Sequence, residues 1–276
     1  MNLKFTLNEY ILIWNLLFKQ SISKELNNRK QKIWINYKKE YNALKKENIN
    51  ILKDSKNYIP NDDTIYNIMK EQEIYNSIYK YTNKYKLELT KVWDEYQKEI
   101  NKQLKSILKI SLKQYNVFII DPRLNTIDYV YELKESNCLC YGRKKENSIS
   151  TIIDLIFNIL KKETNEYNKD YQDVVDAVLE LCILNELATR LTGRSHYLNG
   201  DNSLNYLKKQ IYPYFLMYLG IKEEDMTNYM KRDGILFDRK VYPYQEEISK
   251  MDLYSFIDFC VKNQKYIVKI EEIELI

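Results

Sequence analysis

The sequence predicts a mainly α protein. An elongated antiparallel helical hairpin or bundle over about residues 1–112 leads into a helical globular domain over 113–276 with a small β element. Three observations lead there. All five glycines (Gly142, Gly193, Gly200, Gly220 and Gly234) lie beyond residue 141, and only Pro60 and Pro122 interrupt the chain before that point. In the same stretch apolar residues recur in three- and four-residue steps among Lys, Glu and Leu, which is the pattern of one face of a helix. Near residue 115 the pattern shortens to that of strands.

The elements follow in order. Thr6-Leu7-Asn8-Glu9 reads as a capping box ahead of a short apolar helix carrying Ile11, Leu12, Trp14, Leu16, Leu17 and Phe18. A second helix is expected from near Ser23 to about Asp54, with Ile33, Tyr37, Tyr41, Leu44 and Ile51 on its seam. Pro60 bars helix before it, and Asp63 or Thr64 caps what comes next. The spacing from Ile68 through Tyr75, Leu89, Tyr96 and Ile107 predicts a third helix on the order of 65 Å long if continuous. Its aromatic seam favours bundle packing over a strict coiled coil.

"YNVFIID" and "TIDYVYEL" then read as short strands, with "NCLCYG" beside them. "SISTIIDLIFNILKKE" is helical, with Ser148 or Ser150 as its cap. "DYQDVVDAVLELCILNELATRL" is apolar on nearly every face and reads as the central buried helix. Residues 203–219 and 253–264 read as further helices, and "GILFDRKVY" and "YIVKIEEIELI" as short strands near the C-terminus.

Composition narrows the function. A 45% hydrophobic content excludes a globally disordered chain. Residues 1–112 carry 21 basic against 13 acidic side chains, a net +8, whereas 113–276 carry 22 against 26. The first region is thus a lysine-dominated basic arm. The 26 tyrosines, together with abundant Lys, Asn and Ile, follow AT-rich codons and are read as genome bias. No apolar run approaches the ~20 residues of a membrane span, and no cleavage site of a secretory signal follows the first apolar segment. Four cysteines in a chain of this length suit reduced thiols in a cytoplasmic protein. Phosphate-loop, dinucleotide-binding, kinase and G-x-S-x-G signatures are absent.

The most site-like stretch is "RLTGRSHYLNGDN", residues 190–202, which holds Arg190, Arg194 and the sole histidine, His196. Read from its residues, it is the end of one helix and the start of another. Gly193 takes the left-handed cap position, and Gly200-Asp201-Asn202-Ser203 makes the turn. "RLTGRSH" also resembles the R-x4–6-H motif of HEPN-type ribonucleases, which have a helical domain. The resemblance covers seven residues, with Leu191 standing where those enzymes typically have a polar side chain. It implies metal-independent RNA cleavage, with Arg190 stabilising the pentavalent phosphate and His196 shuttling the proton of the 2′-OH.

Asp173, Asp176 and Glu180 share one face of the buried helix and would suit a metal, but no histidine ligand or second acidic motif joins them. Glu186 and Arg190, four residues apart, are expected to pair. Cys138 and Cys140 face one side of a strand and with Cys182 and Cys260 would complete four zinc ligands, but the knuckle spacing is missing. No metal and no cofactor is therefore expected. Arg143, Lys144 and Lys145 form a basic loop that could bind an anionic partner, as could Arg194. The favoured expectation is a non-enzymatic helical binding or assembly protein. Its basic arm engages a protein partner, a second copy of the chain or a nucleic-acid backbone, with no membrane partner.

Overall fold

The chain opens with a strand where a helix cap was expected. In this computed structural model residues 1–18, 24–47, 60–124, 127–128, 137–164, 171–235 and 245–263 are described. Strand β1 (Asn2–Thr6) pairs in parallel with β2 (Gln114–Ile119), Leu3 opposite Tyr115 and Phe5 opposite Val117. β2 pairs in parallel with β4 (Cys138–Tyr141), and the short β3 (Ile127–Asp128) runs antiparallel on the far side of β4. The sheet order is β1-β2-β4-β3. Thr6 is committed to the ladder, so the cap of the first helix passes to Asn8, whose Oδ1 accepts the Ile11 N–H at 3.0 Å.

The fold is mainly α with this small sheet as its β element. Helix α1 (Glu9–Phe18) buries Leu12, Ile13 and Leu16 completely, each contributing roughly 1.5–3 kcal/mol. The expected second helix is two: α2 (Lys24–Asn36) and α3 (Lys38–Lys46), broken at Tyr37, whose backbone leaves the helical region (φ −133°, ψ 45°). Residues 48–54 of that expected helix, Ile51 included, lie outside the described residues. The third is also two, α4 (Thr64–Lys70) and α5 (Glu73–Leu108). The 36 residues of α5 give a rod about 54 Å long at 1.5 Å per residue. At the start of α4 the Thr64 N–H is taken by Asp62 Oδ1 at 2.9 Å, not by Asp63. On α5, Trp93 faces inward at 2% exposure, whereas Tyr96, expected on the seam, points outward.

Two compact units emerge. One is Met1–Glu95 with Leu112–Thr151, and the other is Tyr96–Ser111 with Ile152–Ile276. The division does not run at residue 112, because β1–β2 pairing ties the sheet to the N-terminal helices. In the first unit, α1 to α4 and the start of α5 share one core around Leu16, Leu26, Ile33, Leu44, Tyr66 and Ile78. Ile11 packs on the sheet residues Phe118, Ile120 and Cys140.

The second unit is built on a helical rod with no break in it. α7 (Gln172–Leu179) continues through a π-helical segment, Glu180–Leu187, into α8 (Ala188–Thr192). Nearly every side chain from Val174 to Ala188 is buried, as its all-round apolar character implied. α6 (Ser148–Glu163) precedes it. α6 is capped by Asn147, whose Oδ1 accepts the Ser150 N–H at 2.8 Å, while the Ser148 hydroxyl turns to Glu88. After the rod come α9 (Asn205–Tyr218), α10 (Glu223–Asp233), α11 (Gln245–Ser249) and α12 (Leu253–Lys262). α10 had no counterpart in the sequence reading. Most of "GILFDRKVY" and all of "YIVKIEEIELI" lie outside the described residues.

Lys109, in the left-handed region (φ 54°) just past α5, ties this unit together. Its ammonium donates to the carbonyls of Tyr218 and Ser249, capping α9 and α11, and lies 4.4 Å from the Tyr218 ring centre. Desolvation there lowers its pKa. The Tyr218 hydroxyl returns a hydrogen bond to the Ile107 carbonyl.

Candidate functional site

The stretch 190–202 begins in the last turn of the buried rod, and Arg190 and Ser195 join one network of ion pairs and hydrogen bonds. Gly193 is the left-handed cap (φ 70°), donating to the Thr189 carbonyl at 2.8 Å. Glu186, 2% exposed, accepts from Arg190 Nε at 2.7 Å, the pair expected from sequence. It also accepts from Arg232 Nη2 of α10 at 2.8 Å. Arg190 Nη1 reaches Gln103 Oε1 at 3.2 Å and Ser106 Oγ at 3.1 Å. Arg232 Nε donates to Asp233 at 2.7 Å, and Asp233 further accepts from Ser195 Oγ and the Tyr212 hydroxyl. Burial and that carboxylate push the Tyr212 phenol far above its ordinary range.

His196 is held at both ring nitrogens. Nε2 lies 2.7 Å from Thr192 Oγ1, and Nδ1 lies 2.8 Å from Asn199 Nδ2. The Thr192 hydroxyl already donates to the Ala188 carbonyl at 2.8 Å, so its oxygen accepts from the ring. Nε2 therefore carries the proton, and Nδ1 accepts from the Asn199 amide. Both bonds suit the neutral ring. Desolvation, then the Arg194 charge, lowers the pKa of His196. Arg194 itself is exposed at the turn, its backbone N–H on Thr192 Oγ1 at 3.4 Å.

Behind the turn lies a second buried pair. Lys208 of α9, fully buried, donates to Glu180 Oε2 at 2.8 Å and to the Asn199 carbonyl at 3.0 Å. Glu180 Oε1 accepts the Asp201 N–H at 2.8 Å. Gly200 (φ 108°) passes so close that a Cβ there would stand 2.2 Å from the Glu180 carboxylate. Asn185, from the π-helical segment, donates to the carbonyls of His196 and Asn199. The loop from Ser195 to Asp201 is thus clamped by side chains of the buried rod and of α9.

The remaining candidates are dispersed. Asp176 pairs with Lys161 and accepts from Gln172 at 2.8 Å, while Glu180 is committed to Lys208. Cys138 and Cys140 lie on β4 as expected, and all four cysteines are thiols. Burial raises the thiols of Cys182 and Cys260 well above the usual range. Among the described residues no three His, Cys, Asp or Glu side chains converge as metal ligands would. In the basic loop, the Arg143 carbonyl accepts from Tyr85, Lys144 Nζ stands 3.7 Å from Glu88, and the Lys145 N–H meets Thr151 Oγ1 at 3.1 Å.

The basic arm presents something different. Over Lys24–Lys46, α2 and α3 carry eight basic and two acidic side chains, a net +6 against +4 for the whole chain. Their inward positions are few: Leu26, Ile33 and Leu44. At the α2–α3 break three large apolar side chains face outward, Trp34 (44% exposed), Ile35 (61%) and Tyr37 (37%). The Lys38 ammonium sits 5.2 Å from the Trp34 ring centre.

Together these features define a mainly α protein with a network of buried ion pairs and hydrogen bonds around the 190–202 turn and an outward basic-aromatic face. No protein-family model, curated protein or solved structure matches the chain. Among the described residues no helix is long and apolar enough to cross a membrane.

Sequence reasoning missed Arg232, Asp233 and Tyr212, because nothing local ties α10 to Glu186. Lys208 left a signal: Leu204, Lys208, Ile211, Tyr212 and Phe215 recur at helical spacing, which places the lysine on a buried face. Trp34, Ile35 and Tyr37 were hidden by the assumption of one continuous helix.

Proposed function

We propose that this is a non-catalytic binding protein that engages an anionic macromolecular partner through α2 and α3. The observation that carries the reading is the outward trio Trp34, Ile35 and Tyr37 set among exposed Lys24, Lys32, Lys38, Lys39, Lys45 and Lys46. A cluster of exposed large apolar side chains costs solubility and is the usual mark of an interaction surface. The lysine excess selects a partner of negative charge. A cytoplasmic setting fits the four reduced thiols.

The test is retention of the full chain on an immobilised polyanion, heparin, across a salt gradient, beside Lys32→Glu/Lys38→Glu/Lys39→Glu. The reading expects the variant to elute at clearly lower salt. Equal elution of the two, or no retention of either, would overturn it.

The ribonuclease reading has less support. Arg190 is engaged by Glu186, Gln103 and Ser106, and a proton shuttle at His196 would first have to release Thr192 or Asn199. Incubating the protein and His196→Ala with RNA in chelator is expected to give no cleavage that depends on His196. Cleavage lost in the variant would reverse the ranking of the two readings.

A further inference from the structure

Resting on that reading, we infer that the anionic partner is a single-stranded nucleic acid, which stacks bases on Trp34 and Tyr37 while the surrounding lysines hold its phosphates. Charge alone does not distinguish a nucleic acid from an acidic protein or an anionic lipid surface. The surroundings of the aromatic residues do.

The face is rich in Lys and poor in Arg: of its eight basic residues only Arg29 is an arginine, and its guanidinium is engaged by Gln72 at 3.0 Å. The cores of protein–protein interfaces are depleted in charged residues, whereas here the Lys38 ammonium stands over the exposed Trp34 ring at the centre of the patch. Lysine is a point charge suited to phosphate. A lipid surface asks for a broad apolar stripe along a helix. On α2 the inward positions Leu26 and Ile33 are spent on the protein's own core. What remains outward is a patch of three side chains at a helix break, flanked by exposed Asn28, Gln31, Asn36 and Asn42. Amides suit base edges and phosphates better than acyl chains.

A duplex has its bases already stacked and offers no ring faces to Trp34 and Tyr37. A single strand does, and base–aromatic stacking beside a positive surface is how such strands are held irrespective of sequence. Tyr37 stands at the break, where the backbone leaves the helical region, and both its ring and that of Trp34 are exposed. The Lys38 ammonium, 5.2 Å from the Trp34 ring centre, is placed to hold a phosphate beside a base stacked there.

The experiment measures fluorescence anisotropy of a labelled mixed-sequence oligonucleotide of about 20 nucleotides with the full chain across a salt series. The same strand in a duplex, poly-glutamate, and phosphatidylserine/phosphatidylcholine vesicles serve as competitors. The inference expects the single strand to bind tightest. Trp34→Ala is expected to weaken it about tenfold or more, Trp34→Phe to restore most of the loss, and Ile35→Ser to matter less than Trp34→Ala. Lys32→Gln/Lys38→Gln/Lys39→Gln should lower the slope of log affinity against log salt by about 2.

Circular dichroism of each variant checks that these surface changes leave the fold intact. Preference for the duplex, poly-glutamate or vesicles, or an unchanged affinity in Trp34→Ala, overturns the inference while the binding reading stands. Binding to none of the four polyanions overturns both.

Discussion

Lys208→Met tests the buried pair that clamps the 195–201 loop. The substitution keeps the length and apolar stem of the side chain and removes only the ammonium. In the native chain that ammonium is 2.8 Å from Glu180 Oε2 and 3.0 Å from the Asn199 carbonyl, with both side chains almost fully out of water (0% and 4% exposed). Removing it leaves a carboxylate whose remaining donor among the described residues is the Asp201 N–H. Breaking a buried pair in this way costs about 3–5 kcal/mol, because the remaining charge is uncompensated. For a chain of this size, ~2–4 °C is lost per kcal/mol, so the melting temperature should fall by roughly 6–20 °C.

The cause is separable from mere loss of packing. An orphaned buried carboxylate can shed its charge by taking up a proton, so the deficit of Lys208→Met should shrink as pH is lowered from about 8 to about 5. The double variant Glu180→Gln/Lys208→Met has no charge to bury and keeps an oxygen for the Asp201 N–H. It should recover at least half the loss. Thermal and urea unfolding at both pH values measure this. A deficit below ~1 kcal/mol, or a double variant no more stable than the single, would refute the reasoning.

Three further outcomes follow from the same geometry. Gly200→Ala should cost about 2–4 kcal/mol in urea unfolding, since its Cβ would displace a carboxylate pinned by Lys208 and would itself sit at φ 108°. A histidine whose folded pKa is lowered leaves the unfolded chain holding more protons just below its ordinary value of about 6.5. Stability should therefore fall as pH drops below that value, and His196→Gln should flatten that part of the profile in urea titrations. Asn147→Ala removes the cap of α6 and should lower stability by ~1 kcal/mol, with Asn147→Ser recovering most of it.

Much of the helical content was legible because it depends on local chemistry. Glycine-free spacing marked α1 and α5, all-round apolarity marked the buried rod from α7 to α8, and Gly193 and Asp201 marked the ends of the turn that leads from α8 to α9. Glu186–Arg190 was legible for the same reason, since four residues on a helix bring two side chains together without help from the rest of the chain. Cap assignments failed where a stronger partner existed. Thr6 went to a strand, and Ser148 turned to Glu88 while Asn147 took its place.

What the sequence by itself determined is the helical class, the lysine bias of the first 112 residues and the register of the Arg190–His196 turn. Tertiary structure alone decided that β1 completes a sheet with strands more than a hundred residues away, and that Glu186 serves two arginines from different helices. It also decided that Lys208 is buried against Glu180 and that Trp34 and Tyr37 face outward. The physical reason is sequence separation. Periodicity and capping act over three or four residues, whereas strand pairing, buried ion pairs and the choice of outward face depend on which distant segments share a core.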